Sequence, residues 1–237
     1  MSSLVRSAGI IVALAFCSCI SEDGNGRVIT TLISNVRSFS RVAVQDGIQV
    51  SIARGEPSVR LTSDENLRLF YEFDVDGRTL KIRQMNNFRL TPSTPVMVEI
   101  TNPELEGLDV SGGSQVSAEA TPAGDWRLTV KEGSSASLSR LETQNLHVDA
   151  SGSSRVDVFG RSRDVNIKSS GGSQVSTDGV SAAHVKINAS GGSLITVNAL
   201  ESVKIDASGG SQVTVTGNPP ERTTDTTDGS QVNFFNQ

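Results

Sequence analysis

Val110-Ser111-Gly112-Gly113-Ser114-Gln115-Val116 is the stretch on which the fold turns. It returns as Ser170-Gly171-Gly172-Ser173-Gln174-Val175 and as Ser208-Gly209-Gly210-Ser211-Gln212-Val213, and it is shortened in Ser190-Gly191-Gly192-Ser193. Looser copies are Glu132-Gly133-Ser134, Ser151-Gly152-Ser153-Ser154 and Asp228-Gly229-Ser230-Gln231-Val232. Aligned on the final serine they fall at 114, 134, 154, 173, 193, 211 and 230, with spacings of 20, 20, 19, 20, 18 and 19. Seven copies at nearly constant spacing mark a repeat architecture.

The flanks of each copy alternate with a period of two. Six residues before the serine stand Leu108, Leu128, Val148, Ile167, Ile187 and Ile205; two after it stand Val116, Ala136, Val156, Val175, Ile195, Val213 and Val232. That is strand spacing, not helix spacing. Between the two strands lies a corner rich in glycine, the residue that accepts positive φ without strain. Direct repetition at about 20 residues predicts an all-β, right-handed parallel β-helix whose coils stack about 4.8 Å apart.

Parity then sorts the corner. The final serine shares the inward parity with Ala150, Ala189 and Ala207, as a narrow corner requires, and stacked hydroxyls there predict a hydrogen-bonded ladder. Gln115, Arg155, Gln174, Gln212 and Gln231 take the outward parity, with Ser111, Ser170, Ser190 and Ser208 three residues before the anchor. These nine residues form the candidate binding stripe for a glycan or protein ligand; the same glutamines also serve as a structural ladder between coils. An outward column of Asp109, Asp149, Lys168, Asn188, Asp206 and Asp225 runs five residues before the anchor.

Residues 28–107 lack the repeat but stay rich in strand patterns. Expected strands are 28–34, 36–44, 48–53, 59–62, 69–75, 79–83 and 95–101, with Asp76-Gly77 as a hairpin turn. This part either continues the stack or caps it. Pro219-Pro220 ends the regular repetition, and Phe234-Phe235 is expected to cover the last coil.

The first residues read as an address. Arg6 precedes an apolar run, 9–16, too short to span a bilayer, and the run ends at Cys17-Ser18-Cys19. Residues 1–18 are expected to be a lipoprotein-type signal with Cys19 as the lipid attachment site and Cys17 as the weaker alternative. Residues 19–27 follow as a polar tether, 28–107 as the β-rich part and 108–237 as the repeat. The expected location is the cell envelope, at the outer membrane or cell surface, with a periplasmic or secreted protein as the alternative.

Phe39-x-x-Val42-x-Val44-x-Asp46-Gly47-Ile48-Gln49-Val50, Ser63-Asp64-Glu65-Asn66-Leu67 and Ile100-x-x-Pro103-x-Leu105-x-x-Leu108-x-Val110-Ser111-Gly112-Gly113-Ser114 together resemble the head GIN domain of auto-transporter adhesins. The resemblance covers roughly residues 36–237 and implies an exported β-helical protein. It supplies no catalytic residue. Gln49 stands where the family name implies asparagine.

The chemistry of the composition is sparse. The net charge of −5 leaves no basic excess for a nucleic acid. Aromatics are 4%, so stacking platforms for bases or sugars are few. Two histidines, His147 and His184, lack partners at ligand spacing, and the two cysteines fall at the end of the signal and at the lipid attachment site, so neither metal nor cofactor is expected. No nucleophile elbow is present, and Gly-Gly-Ser runs into a strand, not a phosphate-binding helix. A glycosidase needs two carboxylates at a defined separation, and nothing in the Asp column singles out a pair. The expected function is therefore a non-catalytic binding or adhesion module held to the membrane by an N-terminal lipid. A purely structural envelope protein and a polysaccharide-processing enzyme are the alternatives. The ligand and oligomeric state stay open, with end-to-end association invited by exposed end coils.

Overall fold

The computed structural model describes residues 20–34 and 36–235. Residues 1–19, where a signal and the lipid attachment site are expected, lie outside the described residues, Cys17 and Cys19 among them.

The corners organise everything else. At eight corners among the described residues the chain places two consecutive residues at positive φ: Asp46/Gly47, Gly112/Gly113, Glu132/Gly133, Gly152/Ser153, Gly171/Gly172, Gly191/Gly192, Gly209/Gly210 and Asp228/Gly229; Gly217/Asn218 is a further such pair outside the corners. Such a pair reverses the chain in two residues, the geometry of a type I′ turn. The corners also bond to one another: Gly133 donates to the Gly152 carbonyl at 2.8 Å, Gly172 to Gly191 at 2.8 Å, and Gly192 to Gly209 at 2.8 Å. The two glycines carry different constraints. A Cβ on Gly209 would lie 2.9 Å from the Gly191 nitrogen, whereas one on Gly210 would meet nothing within 4 Å. Where the first position is glycine, at 112, 152, 171, 191 and 209, a Cβ would press on the corner of a neighbouring coil, whereas Asp46, Glu132 and Asp228 hold that position with a side chain; the second position needs only the left-handed backbone.

Each corner joins two flat faces. Strands entering corners form one face, and strands leaving corners form the other. On the entry face Gly107–Val110 lies parallel to Ala123–Val130, and the register continues through Ser135–Ala150, Arg155–Ser169, Gln174–Ala189, Leu194–Ala207 and Glu221–Thr226. On the exit face Gln115–Glu119 starts the same stack, which ends at Gln212–Thr216 and Gln231–Phe234. The four middle strands are long because each runs along the exit face, bends, and returns along the next entry face. This is a parallel β-solenoid, as the repeat predicts.

The inward columns are buried from coil to coil. Leu108, Leu128, Val148, Ile167, Ile187 and Ile205 stand in register on the entry face, and Val116, Val156, Val175, Ile195 and Val213 on the exit face, all nearly inaccessible. Each such aliphatic side chain contributes about 1.5–3 kcal/mol on removal from water. Trp126, fully buried, donates its indole N–H to the Leu105 carbonyl at 2.9 Å.

Six of the anchor serines are buried and Ser230 is half-buried, but they do not form the expected ladder. Ser173, Ser193 and Ser211 donate to the carbonyls of Ser170, Ser190 and Ser208, each three residues back, at 2.8, 2.7 and 2.8 Å. Only Ser154 and Ser173 join hydroxyl to hydroxyl, at 3.2 Å. In these three corners the turn's own carbonyl is nearer than the next coil's hydroxyl, so the bond closes within the corner; Ser154 donates instead to the Val130 carbonyl at 2.9 Å, and the Ser114 and Ser134 hydroxyls are buried without a partner.

The first half extends and then closes the same stack. Arg41–Val44 lies parallel to Gly107–Val110, and Gln49–Arg54 parallel to Gln115–Glu119, with Asp46-Gly47 as their corner. Beneath them come Thr79–Gln84 and Met97–Asn102, again parallel. Three antiparallel additions then seal the end: Tyr71–Asp76 on Thr79–Gln84, Ser58–Asp64 on Met97–Asn102, and Val28–Leu32 on Ser58–Asp64. Residues 36–40, expected in a strand, precede it instead, because Arg41 is where pairing with Gly107 begins.

Residues 20–26 are not a free tether. Ile20–Asp23 pairs with Phe88–Thr91, and the turn that follows is held by side chains of the body. The short polar segment finds enough backbone and carboxylate partners to be ordered. At the far end Phe234 is half-buried, while Phe235 stays 56% exposed and covers nothing. Phe234 packs against the core as expected, and the Arg222 guanidinium lies over it, 4.4 Å from the centroid of its ring.

Candidate functional site

Outward residues of the entry face line up in columns because every coil keeps register. One column reads Asp109, Thr129, Asp149, Lys168, Asn188, Asp206 and Asp225. Beside it runs a more basic one of Arg127, His147, Asn166, Lys186, Lys204 and Thr223. Toward the corners stand Ser170, Ser190 and Ser208, half-buried. The acidic column and the corner serines border an open groove of about 500 Å³ that runs across five coils from Asp149 to Asp225. Its walls carry carboxylates, one amide, one ammonium and a row of hydroxyls. Desolvation by the surrounding sheet pushes the outward-facing Asp109 carboxyl above the ordinary carboxylate range; Lys131 opposes this and Asp149 adds to it.

The candidate stripe divides at the corner. Ser170, Ser190 and Ser208 belong to the groove. Ser111 holds the same position at an earlier corner, with its N–H bonded to the Val44 carbonyl. Gln115, Arg155, Gln174, Gln212 and Gln231 lie on the exit face, exposed, in one column that Ser135 and the 42% exposed Leu194 interrupt. Arg155 is engaged twice, with Asp157 at 3.0 Å and with Gln174 at 3.1 Å.

His184 bonds through Nδ1 to the Ser202 hydroxyl at 2.9 Å, and its Nε2 lies 3.7 Å from a Glu201 carboxylate oxygen. The group sits on an open sheet face beside a shallow depression of about 300 Å³. His147 occupies the basic column, half-buried. Among the described residues no three His, Cys, Asp or Glu side chains converge on a point where a metal would sit.

A second polar cluster lies at the closed end. Asp64 is fully buried and accepts three hydrogen bonds: from the Gly26 N–H at 2.8 Å, the Ser93 N–H at 2.9 Å and the Ser93 hydroxyl at 2.6 Å. The Ser93 hydroxyl leads in holding its carboxyl below the usual range, burial opposes, and the backbone N–H groups of Ser93 and Gly26 help. Asn66 donates to the Asp23 carbonyl at 2.8 Å and accepts from the Asn25 N–H at 3.0 Å. Ser63-Asp64-Glu65-Asn66 is thus a clasp on the N-terminal segment, a role that composition and periodicity do not reveal. Nearby, the Tyr71 hydroxyl is buried without a partner; burial first, then the Asp64 charge, push its pKa up to about 12.

The fold and the polar groove define a class: parallel β-solenoids with a broad, repetitive surface and a sealed N-terminal end. The chain belongs to the family described as "Putative auto-transporter adhesin, head GIN domain", whose profile matches residues 38–219. Several solved structures share the architecture. A "putative adhesin" from Bacteroides fragilis superposes with a TM-score of 0.85 at 17% identity, covering 90% of this chain and 100% of that one. A "putative adhesin" from Parabacteroides merdae gives 0.75 at 16% identity, with 91% and 99% covered. A "putative lipid binding protein" from Parabacteroides distasonis gives 0.69 at 19% identity, also with 91% and 99% covered. At these identities the likeness is one of fold. No curated protein matches the sequence. Family and fold point to an adhesin-like protein of the cell surface or envelope and offer no pointer to catalysis. Among the described residues no helix is long and apolar enough to cross a membrane.

Proposed function

We propose that the protein is an envelope-anchored binding module that lays an extended glycan along the entry-face groove. The observation that carries this reading is the continuity of the groove. Asp149, Lys168, Asn188, Asp206 and Asp225 line it in register, with Ser170, Ser190 and Ser208 opposite. Acceptors, donors and hydroxyls that repeat every coil, about 4.8 Å apart, suit a polymer that itself repeats hydroxyls along its length. Without an aromatic platform each sugar is held by hydrogen bonds alone, so single contacts are weak and affinity accumulates over several coils. The exit-face glutamines act chiefly as a ladder between coils, as the Arg155–Gln174 bond illustrates. Acylation of Cys19 at the outer membrane or cell surface would hold the module in place.

Binding of the purified protein to a panel of bacterial and host polysaccharides tests the reading. Asn188→Ala with Asp206→Ala is expected to weaken the best binder by about tenfold, the worth of one or two hydrogen bonds, while Gln212→Ala leaves it unchanged. No binding across the panel, or equal loss on both faces, contradicts the groove. Turnover of a polysaccharide, lost with Asp206→Ala, would instead favour an enzyme.

A further inference from the structure

The N-terminal clasp leaves no slack between an anchor and the solenoid. Ile20–Asp23 is a paired strand, Gly24 donates to the Thr91 carbonyl at 2.9 Å, and Gly26 is held by Asp64 at 2.8 Å. Residue 19 is one Cα–Cα step, about 3.8 Å, from a fixed point on the body. An acyl chain on Cys19 therefore draws that point to the headgroups.

What surrounds the fixed point suits such a place. Ile20 is 52% exposed and pairs with Phe88, whose ring packs 4.7 Å from that of Phe70. Leu69, beside Phe70, is 68% exposed, the highest value among the exposed large apolar side chains. Arg68 and Arg89 flank these residues, both exposed and without an ion-pair partner among the described residues. The acidic Glu22 and Asp23 come only two and three positions after Ile20. Apolar and aromatic side chains bordered by free arginines are the composition of a surface that sits in a bilayer interface.

We propose that the closed end of the solenoid rests directly on a phospholipid surface, with Ile20 and Leu69 entering the headgroup region and Arg68 and Arg89 meeting lipid phosphates. The contact fixes the direction in which the groove is presented, so the solenoid does not swing on a flexible stalk. The inference rests on the acylation of Cys19 proposed above.

The full chain, reconstituted in vesicles of phosphatidylethanolamine and phosphatidylglycerol that carry a headgroup-level nitroxide lipid, tests it. Leu69→Trp adds an indole at the patch, and the buried Trp126 is the reference inside the stack. The expected result is nitroxide quenching of the added emission alone, with the mass of the N-terminal peptide showing acylated Cys19 in the same sample. An acylated protein whose added indole is not quenched overturns the proposal. If Cys19 is unmodified, the anchor reading fails by itself; the patch then stands only if the protein still floats with the vesicles and Leu69→Glu abolishes flotation, and no flotation overturns it. Concentration-dependent dimers that Leu69→Glu disperses, without quenching, assign the patch to a second copy of the chain and overturn it too.

Discussion

Residues 107–216 climb one coil at a time, each copy of the corner seated on the last. Residues 28–102 fill their layers out of chain order: the coil at 41–54 lies inside the stack, and strands that come later in the chain lie beneath it. The difference reflects what a parallel stack can and cannot do. Copying a corner extends it without limit, but leaves an edge of unpaired backbone at each end. The N-terminal end is sealed by reversal of direction, with antiparallel strands that do not repeat. The C-terminal end is closed by polarity. Arg222, Thr224 and Thr226 occupy positions that Val203, Ile205 and Ala207 fill one coil earlier, and the whole strand Glu221–Thr226 is exposed.

The comparison breaks first at Gly112, where the two regions meet. A Cβ there would lie 2.8 Å from the Asp46 nitrogen, at a φ of +63°. Gly112→Val should cost about 3 kcal/mol or more in denaturant unfolding, strain and overpacking acting together. Asp64→Ala comes next. It orphans the Gly26 and Ser93 N–H groups and should cost about 2–3 kcal/mol, with faster hydrogen exchange confined to residues 20–27 and 91–93. Gly210→Ala probes the second corner position, where space is free and only the φ of +74° is at issue; about 1 kcal/mol is expected from the left-handed backbone. Tyr71→Phe should be the mildest change, near zero or slightly stabilising, because the hydroxyl it removes is buried and unpartnered. Thermal or urea midpoints check the last two.

Acid should separate the regions as well. The Asp64 carboxyl is depressed in the folded state, so its stabilisation is present above the unfolded value and is lost as pH falls through the lower folded one. The clasp should therefore keep its amide protection down to about pH 4 and lose it below. The Asp109 carboxyl is raised, so its ionisation works against the fold as pH rises through its folded value. Asp109→Asn should remove that penalty and leave the clasp's acid response untouched.

The repeat half was legible because its geometry is written in periodic residues. Two glycines mark a corner, and alternating aliphatics mark the buried parity, so Val116 and Val213 are inside as the spacing requires. The corner at Asp46-Gly47 was harder to see. It carries Ile48 where the later copies carry serine, although Val44, Gln49 and Val50 align with Val110, Gln115 and Val116. The Gly47-Ile48-Gln49 tripeptide is thus the first corner of the stack. The closing strands were legible as strands but not as partners, since antiparallel pairing between distant segments leaves no period. The clasp was hidden for another reason: Asp64, Ser93 and Gly26 are far apart in the chain and meet only once the end has closed. The groove was half visible. Its acidic column and its serines have the same parity, but only the tight corner shows that the glutamines turn away onto the other face.

The most direct test of a single stack joining both regions is a disulfide between coils that are remote in sequence. Ser51 and Ser117 are exposed Cα partners on adjacent parallel strands, within the reach of a disulfide. In protein with Cys17 and Cys19 replaced by serine, Ser51→Cys with Ser117→Cys should oxidise quickly and raise the unfolding midpoint. The control pair of Ser51→Cys with Gln115→Cys, two residues out of register, should stay reduced. Failure of the first pair to close, or equal oxidation of both, would contradict a continuous parallel stack running from residue 41 to residue 234.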